Sequence, residues 1–441
     1  MTKASVKLGE IQEAVVIDLA HDGRGIARVD GKAVFIEGAL PGERVRFRVF
    51  KRRRHLDEAG LVEVLLASPD RVTPRCAHFG VCGGCSLQHL KPAAQLAAKE
   101  RQLTENLDRI GRVRPQRLFP PLKGPEWAYR RRARLGVKYV HKKGRVLAGF
   151  RERDKPYVAD LKRCEVLLGR FANLPEQLAA LVETLTLRGD IAQVEVAAGD
   201  ESAALVFRIL AAASPEDLER LAAFGARHCL QIHLQTGGPD TVRPLRADYP
   251  PLAYSSGDQG LTLNFGPVDF IQVNREINSA MVAAALELLG PTASDAVLDL
   301  FCGLGNFTLG LGKRAARVIG VEGDAGLVNQ ARANAKANEI LNASFHVDDL
   351  FAPARLGAWA RDPYDLVLLD PPRAGAAEIL ELIPHWRPRR LVYISCHPGS
   401  LARDAGILVN VHGFTLEGAG VMDMFPHTTH VESIAVFERG A

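Results

Sequence analysis

Val297-Leu-Asp-Leu-Phe-Cys-Gly-Leu-Gly-Asn-Phe-Thr-Leu309 reads as a buried strand, a glycine turn and the start of a helix. Gly303 and Gly305 let the backbone pass close to a ligand at the strand end. Dinucleotide enzymes use the same device, so the turn alone leaves the ligand open. Outward from it, Val318-Ile-Gly-Val-Glu322 is a second strand ending in a carboxylate, at the distance where an acid binds ribose hydroxyls. Asp348-Asp349 follow a third strand, where an acid can accept from an adenine amino group. Asp365-Leu-Val-Leu-Leu-Asp370-Pro-Pro-Arg373 ends a fourth strand with an acid and two prolines. This succession fits S-adenosylmethionine better than NAD. No third fingerprint glycine follows Gly305, and Asp-Pro-Pro has no place in a dehydrogenase. The expectation from about Phe270 onward is an α/β, Rossmann-like methyltransferase domain.

Further along, Val392-Tyr-Ile-Ser-Cys-His-Pro-Gly-Ser-Leu401 opens on a β-branched and aromatic run, and His-Pro-Gly must then turn the chain. Cys396 is thereby placed at a strand end, where open α/β sheets keep their reacting groups. A lone cysteine is ordinarily a small core thiol; the acids upstream are what favour a nucleophile. Glu432 has apolar company in Val431 and Ile434-Ala-Val-Phe437, which argues for a strand with Glu432 at its edge rather than a surface carboxylate. Cys302 and His397 read as packing and turn residues.

The bulk numbers bound the rest. A chain of 441 residues with 47% hydrophobic and 24% charged residues is ordinary globular material for two or three domains. No apolar run is long enough to span a bilayer, and Met1-Thr-Lys-Ala-Ser5 does not read as a leader, so a cytoplasmic protein is expected. The net charge of +5 is modest but segregated: Arg44 to Arg54 holds seven Lys or Arg, and Arg130 to Arg145 holds eight. Positive charge in blocks suits a polyphosphate partner. Seven cysteines point to metal or catalysis rather than to a disulfide framework.

Before the catalytic half, alternating runs (Ala14 to Asp18, Lys32 to Ile36, Glu43 to Phe50, Gly60 to Leu65) separated by glycine turns predict a small antiparallel β-barrel. Arginines alternating with Val and Phe in Glu43 to Phe50 give it one basic face, suited to single-stranded RNA. Gly23-Arg-Gly-Ile-Ala-Arg28 and Phe35-Ile-Glu-Gly-Ala-Leu-Pro-Gly-Glu43 resemble the TRAM domain, an OB-like RNA-binding module. Cys76, Cys82 and Cys85 then crowd one glycine-rich loop, with Cys164 far downstream. Thiol-only sets fit zinc or an iron–sulfur cluster, and spacing does not separate the two; the bulky hydrophobes between Cys76 and Cys82 favour the cluster, with His78 and His89 as alternative ligands. Pro92 begins a helix with Leu96, Leu103, Leu107 and Ile110 on one face, ended by Gly111. A mixed α+β segment runs to about Leu263, in which Cys229 reads as core. The aromatic and basic residues of Trp127 to Arg134 could stack bases and grip phosphates.

Taken together, Phe270-Ile-Gln-Val-Asn274, the Asp299 to Leu309 turn, Asp370-Pro-Pro-Arg-Ala-Gly375, Tyr393-Ile-Ser-Cys-His-Pro398 and His430-Val-Glu-Ser433 resemble the RNA uracil-C5 methyltransferase family over essentially the full length. Within it the chain is similar to the branch that methylates 23S rRNA, at position 1939. The tRNA-specific branch typically lacks both the barrel and the cluster cysteines, and the other 23S branch lacks the barrel. The resemblance implies a 4Fe-4S cluster on Cys76, Cys82, Cys85 and Cys164, and S-adenosylmethionine against Gln272, Phe301, Asn306, Glu322, Asp349 and Asp370. It makes Cys396 the nucleophile and Glu432 the base, with Arg373 a candidate for favouring the thiolate. To reach Cys396 the target uridine must leave its RNA context, so a flipped-out base is expected, and the enzyme is expected to be a monomer. Domains are expected as a barrel at 1–68, an iron–sulfur domain at 69–92 and 125–265, and a catalytic domain at 93–124 and 266–441.

Other readings predict other residues. An RNA cytosine-C5 methyltransferase would carry a cysteine after the Asp-x-Pro, where Pro372-Arg373 stand. An adenine amino methyltransferase would carry an aromatic residue at Arg373. A radical methylthiotransferase would use Cys-x3-Cys-x2-Cys and leave an iron open. Another rRNA site, tRNA, or an RNA-binding assembly factor with a vestigial catalytic half remain as alternatives.

Overall fold

The computed structural model describes residues 9–256 and 259–440. The opening five residues, read above as no leader, lie outside the described residues. The chain divides into two compact units. One holds the described residues up to Gln102 with Glu152–Pro156 and Phe425–Thr429; the other holds the remainder.

In the first unit, strands Ile11–Leu19, Gly25–Val29, Lys32–Glu37, Arg44–Arg52 and Leu56–Leu66 close into a barrel. The alternation in Arg44–Arg52 works as a two-residue period demands: Val45, Phe47 and Val49 are buried while Arg44, Arg46 and Arg48 are exposed. The sequence yields four of these strands. The fifth, Gly25–Val29, hides behind a glycine pattern that reads as a turn, yet Gly25 is there for close approach. A Cβ on it would stand 2.8 Å from both the Ala39 carbonyl oxygen and Val16 Cγ1.

A buried ion pair pins the loop that leaves the barrel. Glu43 is fully buried and accepts from Arg71 Nε at 2.5 Å and Nη2 at 2.8 Å, from the Leu40 amide at 2.8 Å and from the Ser68 amide at 3.3 Å. Burial pushes the Glu43 carboxyl up, but Arg71 and the amides override it and hold the group below its ordinary range. The stabilisation this brings is complete above the ordinary carboxylate pKa and is lost as pH falls through the lowered one. Arg71→Ala leaves an unpaired buried charge, so it should destabilise the barrel unit by about 3–5 kcal/mol. Urea unfolding of the full chain, followed at barrel residues, measures this; a loss below about 1 kcal/mol, the ordinary worth of an exposed pair, would contradict it.

The second unit contains two larger sheets. A six-stranded sheet runs in the order Arg243–Pro244, Gln231–Gln235, Ala203–Ile209, Ile191–Ala198, Arg132–Val140, Arg145–Gly149. Helices Leu174–Glu183 and Pro215–His228 accompany it. Cys229, expected in the core, is exposed: it ends the second of these helices in a left-handed conformation, φ 52°. The eight-stranded sheet has the order Ala343–Val347, Arg317–Glu322, Ala296–Leu300, Leu366–Leu369, Arg390–Ser395, Glu432–Arg439, Phe414–Met422, Arg117–Leu118. Its first five strands are parallel and Glu432–Arg439 inserts antiparallel. Parallel strands are covered on both faces, so they read as unbroken apolar runs; all of Leu366–Leu369 is buried.

The helix Pro92–Asn106 passes into a wider π turn, Leu107–Gly111. That widening explains why Ile110 is exposed while Leu96, Leu103 and Leu107 are buried. A Cβ on Gly111 would collide with the Ala402 carbonyl, and Asn410 Nδ2 donates to the Gly111 carbonyl at 3.1 Å. No helix among the described residues is long and apolar enough to cross a membrane.

Candidate active site

Five parallel strands end at one edge of the eight-stranded sheet, and the residues singled out from the sequence follow those ends. After Ala296–Leu300, Phe301, Gly303 and Gly305 all take positive φ (63°, 56° and 94°). At Gly305 a side chain would collide with Leu309, whereas a Cβ on Gly303 would meet nothing within 4 Å. The turn therefore opens onto free space at Gly303. Glu322, one strand over, accepts from the Gly303 amide at 3.2 Å and the Asp324 amide at 3.1 Å, which fixes its carboxylate beside that space.

Asn306 closes the turn and is locked by residues the sequence gave no reason to choose. It exchanges two hydrogen bonds with Asn278, 3.0 and 3.1 Å, and accepts from the Tyr254 hydroxyl at 3.0 Å. Phe301 stacks tilted against Phe351 with centroids 5.8 Å apart. Of the acid pair, Asp348 is taken up by the Gly357 amide at 3.2 Å and Trp359 Nε1 at 2.5 Å, while Asp349 stays exposed and accepts from the Phe351 amide at 3.0 Å. Gln272 lies half-buried before the helix Arg275–Leu289.

Among the described residues, carboxyl groups gather here and no cation acts on Asp299 or Asp370. Burial pushes Asp370 up to about 7, with Glu322 adding to the effect. Asp299 is likewise pushed up to about 7 by burial, against a 2.5 Å hydrogen bond from Thr308 Oγ1, with Asp370 and Glu322 contributing. Asp299 was quoted in the sequence only as part of the turn; its full burial is what makes it a charge of the site.

Cys396 follows strand Arg390–Ser395 directly, and His397 then caps helix Pro398–Asn410 by accepting from the Ser400 amide at 3.1 Å. Ser395 pairs with Ser433 in the antiparallel ladder. Cys396 follows the last paired residue of its strand and Glu432 begins the partner strand one residue before Ser433, and the Glu432 charge acts on the Cys396 thiol. Glu432 is buried at the start of its strand. Arg373, expected to favour the thiolate, is exposed, with Nη2 3.1 Å from His430 Nδ1. It does act in that direction but is outweighed. Burial, then Glu432, then Asp370 push the Cys396 thiol up to about 11.

The sign of that shift gives a test. Below the raised pKa the thiolate fraction grows tenfold for each pH unit, so alkylation of Cys396 by iodoacetamide, mapped by peptide mass spectrometry, should accelerate roughly tenfold per unit from pH 7 to 9. A plateau beginning near pH 7 would show an activated thiolate instead.

The cysteine loop belongs to the first unit. The Gly84 amide points at Cys82 Sγ at 3.4 Å, and Cys76 donates its amide to Gln88 Oε1 at 3.1 Å. His89 is buried beside Phe79, centroids 5.3 Å apart, with neither ring nitrogen hydrogen-bonded among the described residues; burial and Arg71 push it down to about 4. Thiols, one of them with an amide aimed at its sulfur, are suitable donor chemistry for an iron–sulfur cluster. Yet no group of three or more His, Cys, Asp or Glu among the described residues stands ready to hold a metal ion. Cys164 is buried in the second unit.

The sheet of five parallel strands with Glu432–Arg439 inserted antiparallel, a glycine turn and acids at successive strand ends defines a methyltransferase of the Rossmann-like class. Residues 91–440 match the family model described as tRNA (Uracil-5-)-methyltransferase, and the chain belongs to that family. Residues 5–60 match the TRAM domain. The chain is 52% identical over 427 residues to the 23S rRNA (uracil(1939)-C(5))-methyltransferase RlmD of Stenotrophomonas maltophilia strain R551-3, covering 96% of each. It is also 52% identical over 430 residues to the enzyme of the same name from Xanthomonas oryzae pv. oryzae strain KACC10331, covering 97% of each. It shares its fold, TM-score 0.75 at 22% identity, with Pyrococcus abyssi tRNA (uracil-54, C5)-methyltransferase in complex with S-adenosyl-L-homocysteine, over 97% of this chain and 100% of that one.

Proposed function

We propose that the protein methylates C5 of a uridine in 23S rRNA, position 1939 by likeness to its relatives, using S-adenosylmethionine. The observation that supports this is that Cys396, at the end of its strand, feels the charges of both Glu432, at the start of the neighbouring strand, and Asp370. S-adenosylmethionine supplies a methyl group on a cationic sulfonium. The open space before Gly303 and the acids Asp299, Glu322 and Asp370 suit such a cation, and Gln272, Phe301, Asn306, Glu322, Asp349 and Asp370 would hold it.

Uracil C5 is too weak a nucleophile to take the methyl unaided. Cys396 sulfur adds to C6 as the thiolate, its proton lost to a neighbouring carboxylate, and the C5=C6 electron pair shifts toward O4. C5 then takes the methyl group, and the electrons of the broken bond stay on sulfur, giving S-adenosylhomocysteine. Glu432 removes the C5 proton, the double bond re-forms, and Cys396 is expelled as thiolate. Because the thiol starts largely protonated, a cation bound against Asp370 would lower its pKa, so attack should follow cofactor binding.

The target base must leave its stack to reach Cys396. The barrel, 1–68, would grip RNA through Arg44, Arg46 and Arg48; the segments 69–92 and 125–265 form the cysteine-bearing domain; 93–124 and 266–441 carry catalysis, in a cytoplasmic monomer. The donor chemistry of Cys76, Cys82, Cys85 and Cys164 supports a 4Fe-4S cluster, which holds structure and enters no step. Anaerobically purified protein should contain about four iron and four sulfide per chain, reduced in Cys82→Ser; stoichiometric zinc instead would overturn the cluster.

The function is tested by incubating the protein with S-adenosylmethionine and 23S rRNA or bulk tRNA and mapping 5-methyluridine by mass spectrometry. One modified 23S nucleotide supports the reading, and methylation confined to tRNA overturns it.

A further inference from the structure

Asp404 is a fully buried carboxylate on helix Pro398–Asn410, and it reaches out of the helix to the loop that follows Asp370. Its Oδ2 accepts from the Ala376 amide at 2.7 Å and from the Tyr393 hydroxyl at 2.6 Å, and its Oδ1 accepts from Arg403 Nε at 2.8 Å. Arg403 Nη2 donates in turn to the Ala374 carbonyl at 2.8 Å. The loop backbone is thus held on both sides of Gly375. That residue has φ 86°, and a Cβ on it would stand 2.5 Å from Arg403 Nη2, 2.6 Å from Asp404 Oδ2 and 3.0 Å from Ser400 Cβ. Only glycine lets the loop come this close.

The clamped segment closes a turn. The Gly375 amide donates to the Pro372 carbonyl at 2.9 Å, which puts Arg373 and Ala374 at the two central positions. Arg373 Nη2 lies 3.1 Å from His430 Nδ1, and since a guanidinium only donates, that nitrogen accepts. His430 stands two residues before Glu432, and the Arg373 charge acts on Cys396 against those of Glu432 and Asp370. Both segments flanking Cys396 carry the clamp: Tyr393 lies in the strand that ends before it, and Asp404 in the helix that begins after it. A buried carboxylate is costly unless its lone pairs are taken, and here charge-assisted bonds take them in fixed directions. Apolar packing is non-directional and would attach helix to loop without fixing the orientation of the turn. We propose that Asp404 and Arg403 are positioning residues, which fix the turn 372–375 so that Arg373 is kept against His430, where it serves the Cys396 thiolate.

The inference rests, for its kinetic readout, on Cys396 being the nucleophile; alkylation of Cys396 reads it independently. Asp404→Asn should lower kcat for methyl transfer roughly 10- to 100-fold, the cost of misplacing a group by about 1 Å, with the cofactor's KM within about twofold of wild type. It should also slow iodoacetamide alkylation of Cys396 at pH 8 roughly two- to fivefold, the scale of one exposed ion pair, as should Arg373→Gln. The loss must run through Arg373, so in an Arg373→Gln background Asp404→Asn should cost less than about a further twofold. Arg403→Lys keeps the charge beside Asp404 without the fork that also spans Ala374, and it should give a smaller loss of the same kind. That variant carries the test if Asp404→Asn does not fold. Losses that multiply in the double variant, or alkylation at the wild-type rate in any of these variants, overturn the proposal and leave Asp404 a brace of the fold. If Cys396→Ala still methylates, the nucleophile reading fails instead, and alkylation still decides the positioning.

Discussion

Cys396→Ala should abolish methylation, with turnover falling by roughly 10^4-fold or more, while S-adenosylhomocysteine and RNA bind within about twofold of wild type. The reasoning runs through C5: without a sulfur at C6 no electron density is pushed onto it, so the loss belongs to the chemical step and not to binding. Half-buried at the end of its strand, Cys396 is small enough that alanine leaves the surrounding packing intact. Single-turnover methyl transfer from labelled cofactor measures the effect. Residual activity within tenfold of wild type would mean that the thiol is not the nucleophile.

Glu432→Gln should separate methyl transfer from release. The shape of the side chain is kept, but the C5 proton has no acceptor, so one methyl group per enzyme is transferred and the adduct persists. Steady-state turnover should fall roughly 10^2- to 10^4-fold, and a denaturation-resistant protein–RNA species should accumulate. The same variant carries an independent readout. Glu432 is the largest charge raising the Cys396 pKa, so its neutralisation should lower that pKa and speed alkylation of Cys396 at pH 7. Wild-type alkylation rates in Glu432→Gln would show that the two groups do not meet, whatever the activity.

The strand ends were readable because parallel strands are buried on both faces. Arg317–Glu322 and Leu366–Leu369 appear as apolar runs, and the first polar residue after each marks the functional edge. Cys396 and Glu432 were readable as individual residues, but their meeting depends on an antiparallel register between segments 38 residues apart at Ser395 and Ser433. What failed to show in the sequence depends on partners remote in the chain. Tyr254 and Asn278 lock Asn306 across 52 and 28 residues, and Arg131 reaches Gln272 across 141. The elevated Cys396 pKa arises the same way, since it is set by burial and by two carboxylates from other strands. Gly25 and Cys229 were misplaced for a local reason. Glycine marks close backbone approach as well as turns, and a cysteine can end a helix as readily as fill a core.

The central claim is that Cys396 attacks a uridine of 23S rRNA and that release requires removal of the C5 proton. The most direct measurement is mass spectrometry of the protein mixed with S-adenosylmethionine and a 23S rRNA fragment carrying 5-fluorouridine at the candidate position. Fluorine does not leave as a cation, so elimination stalls after methyl transfer. A covalent adduct bearing one methyl group, mapped to Cys396 and missing from Cys396→Ala, is the expected result. Full methyl transfer to the unsubstituted fragment with no adduct on the fluorinated one would contradict it.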